Sequence, residues 1–158
     1  MNLTFRKGTM EDVPLILEFI KALATYEKLL DQVTATEDLL RKTIFEDQYA
    51  EVLFAVVDEK EIGFALYFYN YSTFYGKPGL YLEDLYVKEA YRNQGIGKKM
   101  FKEIAKIAHQ KNCCKVQWWC LNWNQPSIDF YLKLGAIPQK EWTVFKLDEA
   151  GILNLAKE

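Results

Sequence analysis

Apolar residues recur at helical spacing at Val13, Ile16, Leu17, Ile20 and Leu23, directly after Thr9-Met10-Glu11-Asp12, whose outer side chains form a capping box. Residues 3–6 ahead of them read as a strand, so the chain opens β then α. A second capped start, Thr34-Ala35-Thr36-Glu37, leads into Leu39, Leu40 and Ile44, a shorter helix. Residues 51–57 and 61–70 then read as strands flanking the hairpin connection Asp58-Glu59-Lys60, and Gly76-Lys77-Pro78-Gly79 turns the chain into a strand over 80–87. Further on, Ile96, Met100, Ile104 and Ile107 make the apolar stripe of a helix whose opposite face carries Lys98, Lys99, Lys102 and Lys106. Residues 116–121 read as a strand, Asn124-Gln125-Pro126 as the start of a helix that ends at Gly135, and 143–147 as a final strand. No repeat or linker interrupts this order, which predicts one mixed α/β sheet in a single domain over residues 1–158.

Composition narrows the function classes without choosing one. With 158 residues, half of them apolar and 27% charged, the chain has the make-up of one soluble globular domain. A net charge of −2 lacks the basic footprint of a nucleic-acid surface, and the lysine face of the long helix reads as solvated. The start, Met1-Asn2-Leu3-Thr4-Phe5-Arg6-Lys7, has no extended apolar region, and no run approaches the roughly 18 apolar residues of a membrane span, so a cytoplasmic protein without a membrane partner is expected. Cys113, Cys114 and Cys120 lack the paired spacing of a zinc site and read as reduced thiols; no metal is expected.

The richest candidate chemistry lies at Arg92-Asn93-Gln94-Gly95-Ile96-Gly97-Lys98, between a strand and a helix. A Walker loop needs glycine where Arg92 stands and Ser or Thr where Lys99 stands. A dinucleotide fingerprint needs a small residue at Met100 and an acidic one about 20 positions on, where Lys115 and Val116 occur. What remains is a glycine turn opening a basic helix, with N–H donors and a positive dipole end suited to a diphosphate, or a plain tight turn.

The surrounding motifs decide between these. Tyr81-Leu82-Glu83-Asp84-Leu85-Tyr86-Val87, the Arg-x-x-Gly-x-Gly turn, Asn122-Trp123-Asn124-x-Pro126-Ser127 and Phe130-Tyr131-x-x-x-Gly135-Ala136 together resemble the Gcn5-related N-acetyltransferase (GNAT) family. Within it they are most similar to the diamine (spermidine/spermine) and thialysine acetyltransferase subgroup, which Ala24-Thr25-Tyr26-Glu27 also resembles. The resemblance implies a central mixed, mostly antiparallel twisted sheet of six or seven strands flanked by about four helices, with acetyl-CoA as cosubstrate and a homodimeric assembly.

It also implies roles. Arg92, Gln94, Gly95, Ile96, Gly97 and Lys98 would hold the pyrophosphate, and the backbone of Leu85, Tyr86 and Val87 would pair with the pantetheine arm like an added strand. Asn124, Ser127 and Tyr131 match positions near the coenzyme, although Asn124 also suits an ordinary helix cap. Glu83 takes the place of the general base, working through water, and Tyr131 that of the acid for the departing thiolate. Tyr26, Glu27, Glu83 and Asp84 would line the acceptor site. Strand alternation places Glu83 and Asp84 on opposite faces, and Asp84 either attracts the cationic acceptor or satisfies buried donors. Tyr71-Ser72-Thr73-Phe74 departs from the polyamine type toward the thialysine type, so a small amine or lysine-like amino acid leads over spermidine. A protein lysine or N-terminal acetyltransferase and a non-catalytic coenzyme A module are the competing readings.

Overall fold

The computed structural model describes all residues, Met1–Glu158, in two compact units, Met1–Asn122 and Trp123–Glu158. The first unit holds a five-stranded sheet in the order β1 to β5, with β1 at Leu3–Lys7, β2 at Glu51–Val57, β3 at Lys60–Ser72, β4 at Lys77–Val87 and β5 at Val116–Gln117. The first four strands pair antiparallel and β5 joins β4 in parallel. Asp58 and Glu59, with φ of 48° and 66°, close the β2–β3 hairpin in the positive-φ geometry that matches the twist of its strands.

One face of the sheet is covered by helix α1 (Val13–Tyr26), and the short helix α2 (Glu37–Leu40), which runs on as a π-helical segment Arg41–Glu46, adds to the same layer. Phe19 of α1 is stacked on Phe64 at 5.1 Å and tilted against Phe54 at 6.0 Å, in a core that includes Val13, Ile16, Leu40 and Ile44. Helix α3 (Ile96–Gln110) covers the other face with Ile96, Met100 and Ile104 fully buried. Gly63 marks how closely: a Cβ there would lie 3.2 Å from Met100 Sδ and 2.9 Å from the Tyr86 carbonyl oxygen. The start of α1 is fastened to β1 by Arg6, whose guanidinium donates to both Asp12 oxygens at 2.8 Å and to Glu61 at 2.7 Å. Asp12 also accepts from the Thr9 backbone N–H, completing the capping box that the sequence predicts.

The second unit contains α4 (Gln125–Lys133), ended by Gly135 at φ 90°, and α5 (Glu149–Ala156). Two sequence expectations are corrected. Residues 143–147 form no strand and 116–121 are a strand only at Val116–Gln117, so the sheet has five strands rather than six or seven. A strand needs a ladder partner as well as alternation, and residues 143–147 have none. The helices number five rather than four, because α5, capped by the Asp148 side chain on the Gly151 N–H at 2.8 Å, was absent from the pattern.

Candidate active site

The site grows out of an irregularity in β4. Leu66 pairs with Asp84 but Tyr67 pairs with Leu82, so Glu83 is an extra, unpaired residue: a β-bulge. Paired residues share a face, and Leu66 packs with the α1 core, so Asp84 points toward α1, as does Tyr86 two residues on. The alternation that separated Glu83 from Asp84 in the sequence therefore breaks at this point. Glu27 caps the C-terminal end of α1, and three carboxyl groups gather electrostatically as a result. Asp84 is pushed up to about 7, first by burial and then by the charges of Glu83 and Glu27. Glu27 is raised by burial and by Glu83, while Glu83 is raised by loss of hydration even though it reaches the solvent surface.

Beside this cluster the sheet is open. β4 and β5 pair only at Leu80–Val116 and Tyr81–Gln117, so from Leu82 to Val87 β4 has β3 on one side and no strand on the other. Backbone donors and acceptors along Leu85, Tyr86 and Val87 thus form a sheet edge that an extended ligand can join.

The chain leaves that edge through a single 3-10 turn (Glu89–Tyr91) and enters α3 at Gly95, the N-cap, with φ of 77°. A Cβ on Gly95 would meet nothing within 4 Å, so glycine serves the left-handed backbone there rather than a lack of space. The N–H groups of Ile96, Gly97 and Lys98 fall in the first turn, where helix geometry supplies no internal partner. Arg92 is held by the protein itself: its Nε donates to the Val87 carbonyl at 2.8 Å, and its guanidinium carbon lies 5.1 Å from the ring centres of both Tyr26 and Tyr86. The sequence reading used Tyr86 for its backbone alone and missed this ring. Nothing in local spacing links Tyr26 to Arg92; the fold brings them together.

In the second unit, Asn124 is buried and caps α4, its Oδ1 accepting from the Ser127 N–H at 3.4 Å. Ser127 and Tyr131 follow one turn apart, both half-buried. Burial and Glu27 raise the Cys120 thiol, and His109 is exposed at the end of α3, so neither has the setting of an activated nucleophile. No group of three or more His, Cys, Asp or Glu side chains is arranged to hold a metal ion, and no helix is long and apolar enough to cross a membrane.

Comparison with known proteins supplies the chemistry for this geometry. The thialysine N-epsilon-acetyltransferase of Bos taurus is 37% identical over 96% of the chain and 95% of its own length. The spermidine/spermine N(1)-acetyltransferase-like protein 1 of Homo sapiens is 35% identical over 97% of the chain, which corresponds to 24% of that longer protein. A solved integron cassette protein from the mobile metagenome of V. cholerae superposes with a TM-score of 0.83 at 27% identity, over 100% of the chain and 99% of its own. The model of the acetyltransferase (GNAT) family matches residues 18–136, a span that holds the bulge, the glycine turn and Tyr131. The chain belongs to the acetyltransferase (GNAT) family and is an N-acetyltransferase.

Proposed function

We propose that residues 1–158 form one N-acetyltransferase domain that moves the acetyl group of acetyl-CoA to a primary amine of a small cationic acceptor, by direct attack. The observation that carries the acceptor class is the carboxylate trio Glu27, Glu83 and Asp84 beside the one-sided edge of β4. Carboxyl groups that repel one another, with Asp84 held away from water, are costly unless cations enter among them. The relatives named for thialysine and spermidine/spermine acetylation are consistent with such an acceptor.

An alkylammonium near pKa 10.4 must lose a proton before it attacks. Glu83, raised by its surroundings, takes that proton through water, while Asp84 and Glu27 hold positive charge on the acceptor. The free amine then forms the N–C bond to the acetyl carbon, the C–S bond breaks with its electron pair leaving on sulfur, and the nitrogen gives its second proton to water, from which the Tyr131 phenolate is later reprotonated. Tyr131 gives its phenolic proton to that thiolate, a role supported by its match to the family position. The transfer from a phenol near 10 to a thiolate near 8.5 is uphill by about 2 kcal/mol, so hydrogen bonding stabilises the charge before the proton moves. Features of the first unit support the coenzyme: the N–H groups at the start of α3 for its pyrophosphate and the β4 edge for its pantetheine arm; Asn124 and Ser127 are assigned to it by their match to family positions alone.

The test follows thiol release from acetyl-CoA across thialysine, lysine, ornithine, short diamines, spermidine and lysine peptides. Acceleration by the small amines, with thialysine ahead of spermidine, is the expected result. Acceleration by peptides alone would replace this reading with a protein acetyltransferase, and coenzyme binding without release with any acceptor would make the chain a coenzyme A module. We further propose a homodimer, a reading supported by apolar surface on the second unit, where Trp142 is 77% and Phe145 90% exposed.

A further inference from the structure

Helix α1 and the segment that follows β4 are joined by cations lying on aromatic rings. Phe19 and Tyr26 are two turns apart on α1 and share a face. Lys88 Nζ lies 5.3 Å from the Phe19 ring centre, and the Arg92 guanidinium lies 5.1 Å from that of Tyr26. Both distances fall within the range of cation–π attraction. The two anchors differ in what they hold. Phe19 is fully buried in the core, so Lys88 sits on a fixed platform. Tyr26 is half-buried at the last residue of α1, next to Glu27, and its cation is the first residue of the glycine turn.

The turn itself has few other ties. The Arg92 backbone N–H donates to Glu89 O at 3.1 Å, and Gln94 reaches Ala90 O at 3.3 Å, both within the same local segment. Asn93 and Gly95 both take positive φ, and residues 93–95 are exposed. Besides the buried Ile96, what ties this turn to the rest of the first unit is the Arg92 side chain, through the Val87 carbonyl and the rings of Tyr26 and Tyr86. Its guanidinium already lies against two rings and donates from Nε to the Val87 carbonyl, and this engagement places the backbone behind it.

We propose that Tyr26 is a positioning residue for the coenzyme turn: its ring clamps Arg92 against Tyr86, sets the N–H groups that open α3, and so couples the acceptor end of α1 to coenzyme affinity. This rests on the coenzyme reading of the turn given above. A residue on the acceptor side would then govern coenzyme binding without touching the coenzyme.

Calorimetric titration of the full chain with coenzyme A tests it. Tyr26→Leu weakens binding by about 3- to 10-fold, the scale of one partly desolvated cation–π contact, while Tyr26→Phe, which keeps the ring face, stays within about twofold of the parent. In an Arg92→Gln background, Tyr26→Leu weakens binding no further, because the clamp is already gone. With saturating amine, Tyr26→Leu raises the KM for acetyl-CoA in the same proportion, whereas Tyr26→Phe keeps the parent KM. If Tyr26→Leu melts below the assay temperature, Tyr26→Gln provides the same comparison in a good helix former. Unchanged affinity in Tyr26→Leu, equal weakening in both backgrounds, or a Tyr26→Phe chain as weak as Tyr26→Leu overturns the clamp. Failure of the parent chain to bind coenzyme A overturns the function reading, and the clamp with it.

Discussion

Replacing Asp84 with asparagine should stabilise the folded chain at neutral pH and damage its activity at once. The carboxyl is lifted from an ordinary value near 3.9 to about 7 by burial and by Glu83 and Glu27. The folded chain therefore holds this proton more tightly than the unfolded chain between about pH 4 and 7. Stability from this group is complete below pH 4 and declines as pH rises through that window. At 1.36 kcal/mol per pKa unit the full loss is about 4 kcal/mol, and solvent access with stepwise ionisation of the three carboxyls brings it to about 2 kcal/mol. Asp84→Asn removes the loss, so at pH 8 it should melt roughly 4–8 °C above the parent, with the difference vanishing near pH 4. Steady-state kinetics on the same proteins should show the acceptor KM rising by about 10- to 100-fold, the scale of one charge-assisted contact, with the KM for acetyl-CoA little changed. Thermal melts of both proteins from pH 4 to 8 read the first effect. A pH-independent difference, or an asparagine variant no more stable at pH 8, would refute the electrostatic account of the cluster.

Three other outcomes are expected. Gly95→Ala forces alanine to φ 77° with no clash to relieve, so it should cost about 1–2 kcal/mol in denaturant unfolding and weaken coenzyme A binding several-fold; an unchanged midpoint would show that the turn relaxes freely. Asp12 is pulled down to about 2, chiefly by its hydrogen bonds from Arg6, so its stabilisation is present above about pH 4 and is lost as pH falls toward 2. Urea unfolding of Asp12→Asn should therefore show a deficit of about 1–2 kcal/mol at pH 7 that closes near pH 2; a deficit constant with pH would exclude the charge as its source. Light scattering should give a dimer for the parent and a monomer for Phe145→Glu, whereas a monomeric parent would leave the apolar surface of the second unit without the partner proposed for it.

The parts of the fold that were legible are those that one periodicity decides. Val13, Ile16 and Leu23 announce α1, and Ile96, Met100 and Ile104 announce α3, because a buried stripe at 3.6 residues is a property of the helix alone. Residues 143–147 are rich in strand-favouring Thr, Val and Phe, yet a strand is a property of two segments, and the segment carries no sign of whether a partner edge awaits it. α5 was hidden for a different reason: Gly151 lies inside it, and Ile152, Leu153 and Leu155 leave it exposed apolar surface without a clean face. At the site, the glycine turn and the acidic pair could be read as residues. The bulge could not, since Tyr81-Leu82-Glu83-Asp84-Leu85-Tyr86-Val87 gives no local cue that Glu83 stands outside the ladder. The Tyr26–Arg92 contact was equally hidden, being made by tertiary packing between segments distant in the chain.

The bulge explains why an acidic trio can exist here at all. In a regular ladder with Glu83 paired, Leu82 and Asp84 would share a face, so the carboxyl could point toward α1 only if Leu82 left the face on which it is buried. With the bulge, Leu82 stays buried while Asp84 points toward α1, within the electrostatic reach of Glu27. The mutual repulsion is then held by rigid parts: Phe19 locks α1 into the core, and the β3–β4 ladder holds the strand on both sides of Glu83. On the proposed function, such a cluster favours acceptors that place two ammonium groups among the three carboxyls over those that place one. The first ammonium lowers the pKa of the carboxyls around it, and a second on the same molecule meets groups already more ionised. An amino acid bearing a side-chain amine keeps this advantage only if its own carboxylate is directed away from Glu27, Glu83 and Asp84, and that geometric demand separates thialysine-like acceptors from plain diamines at this site.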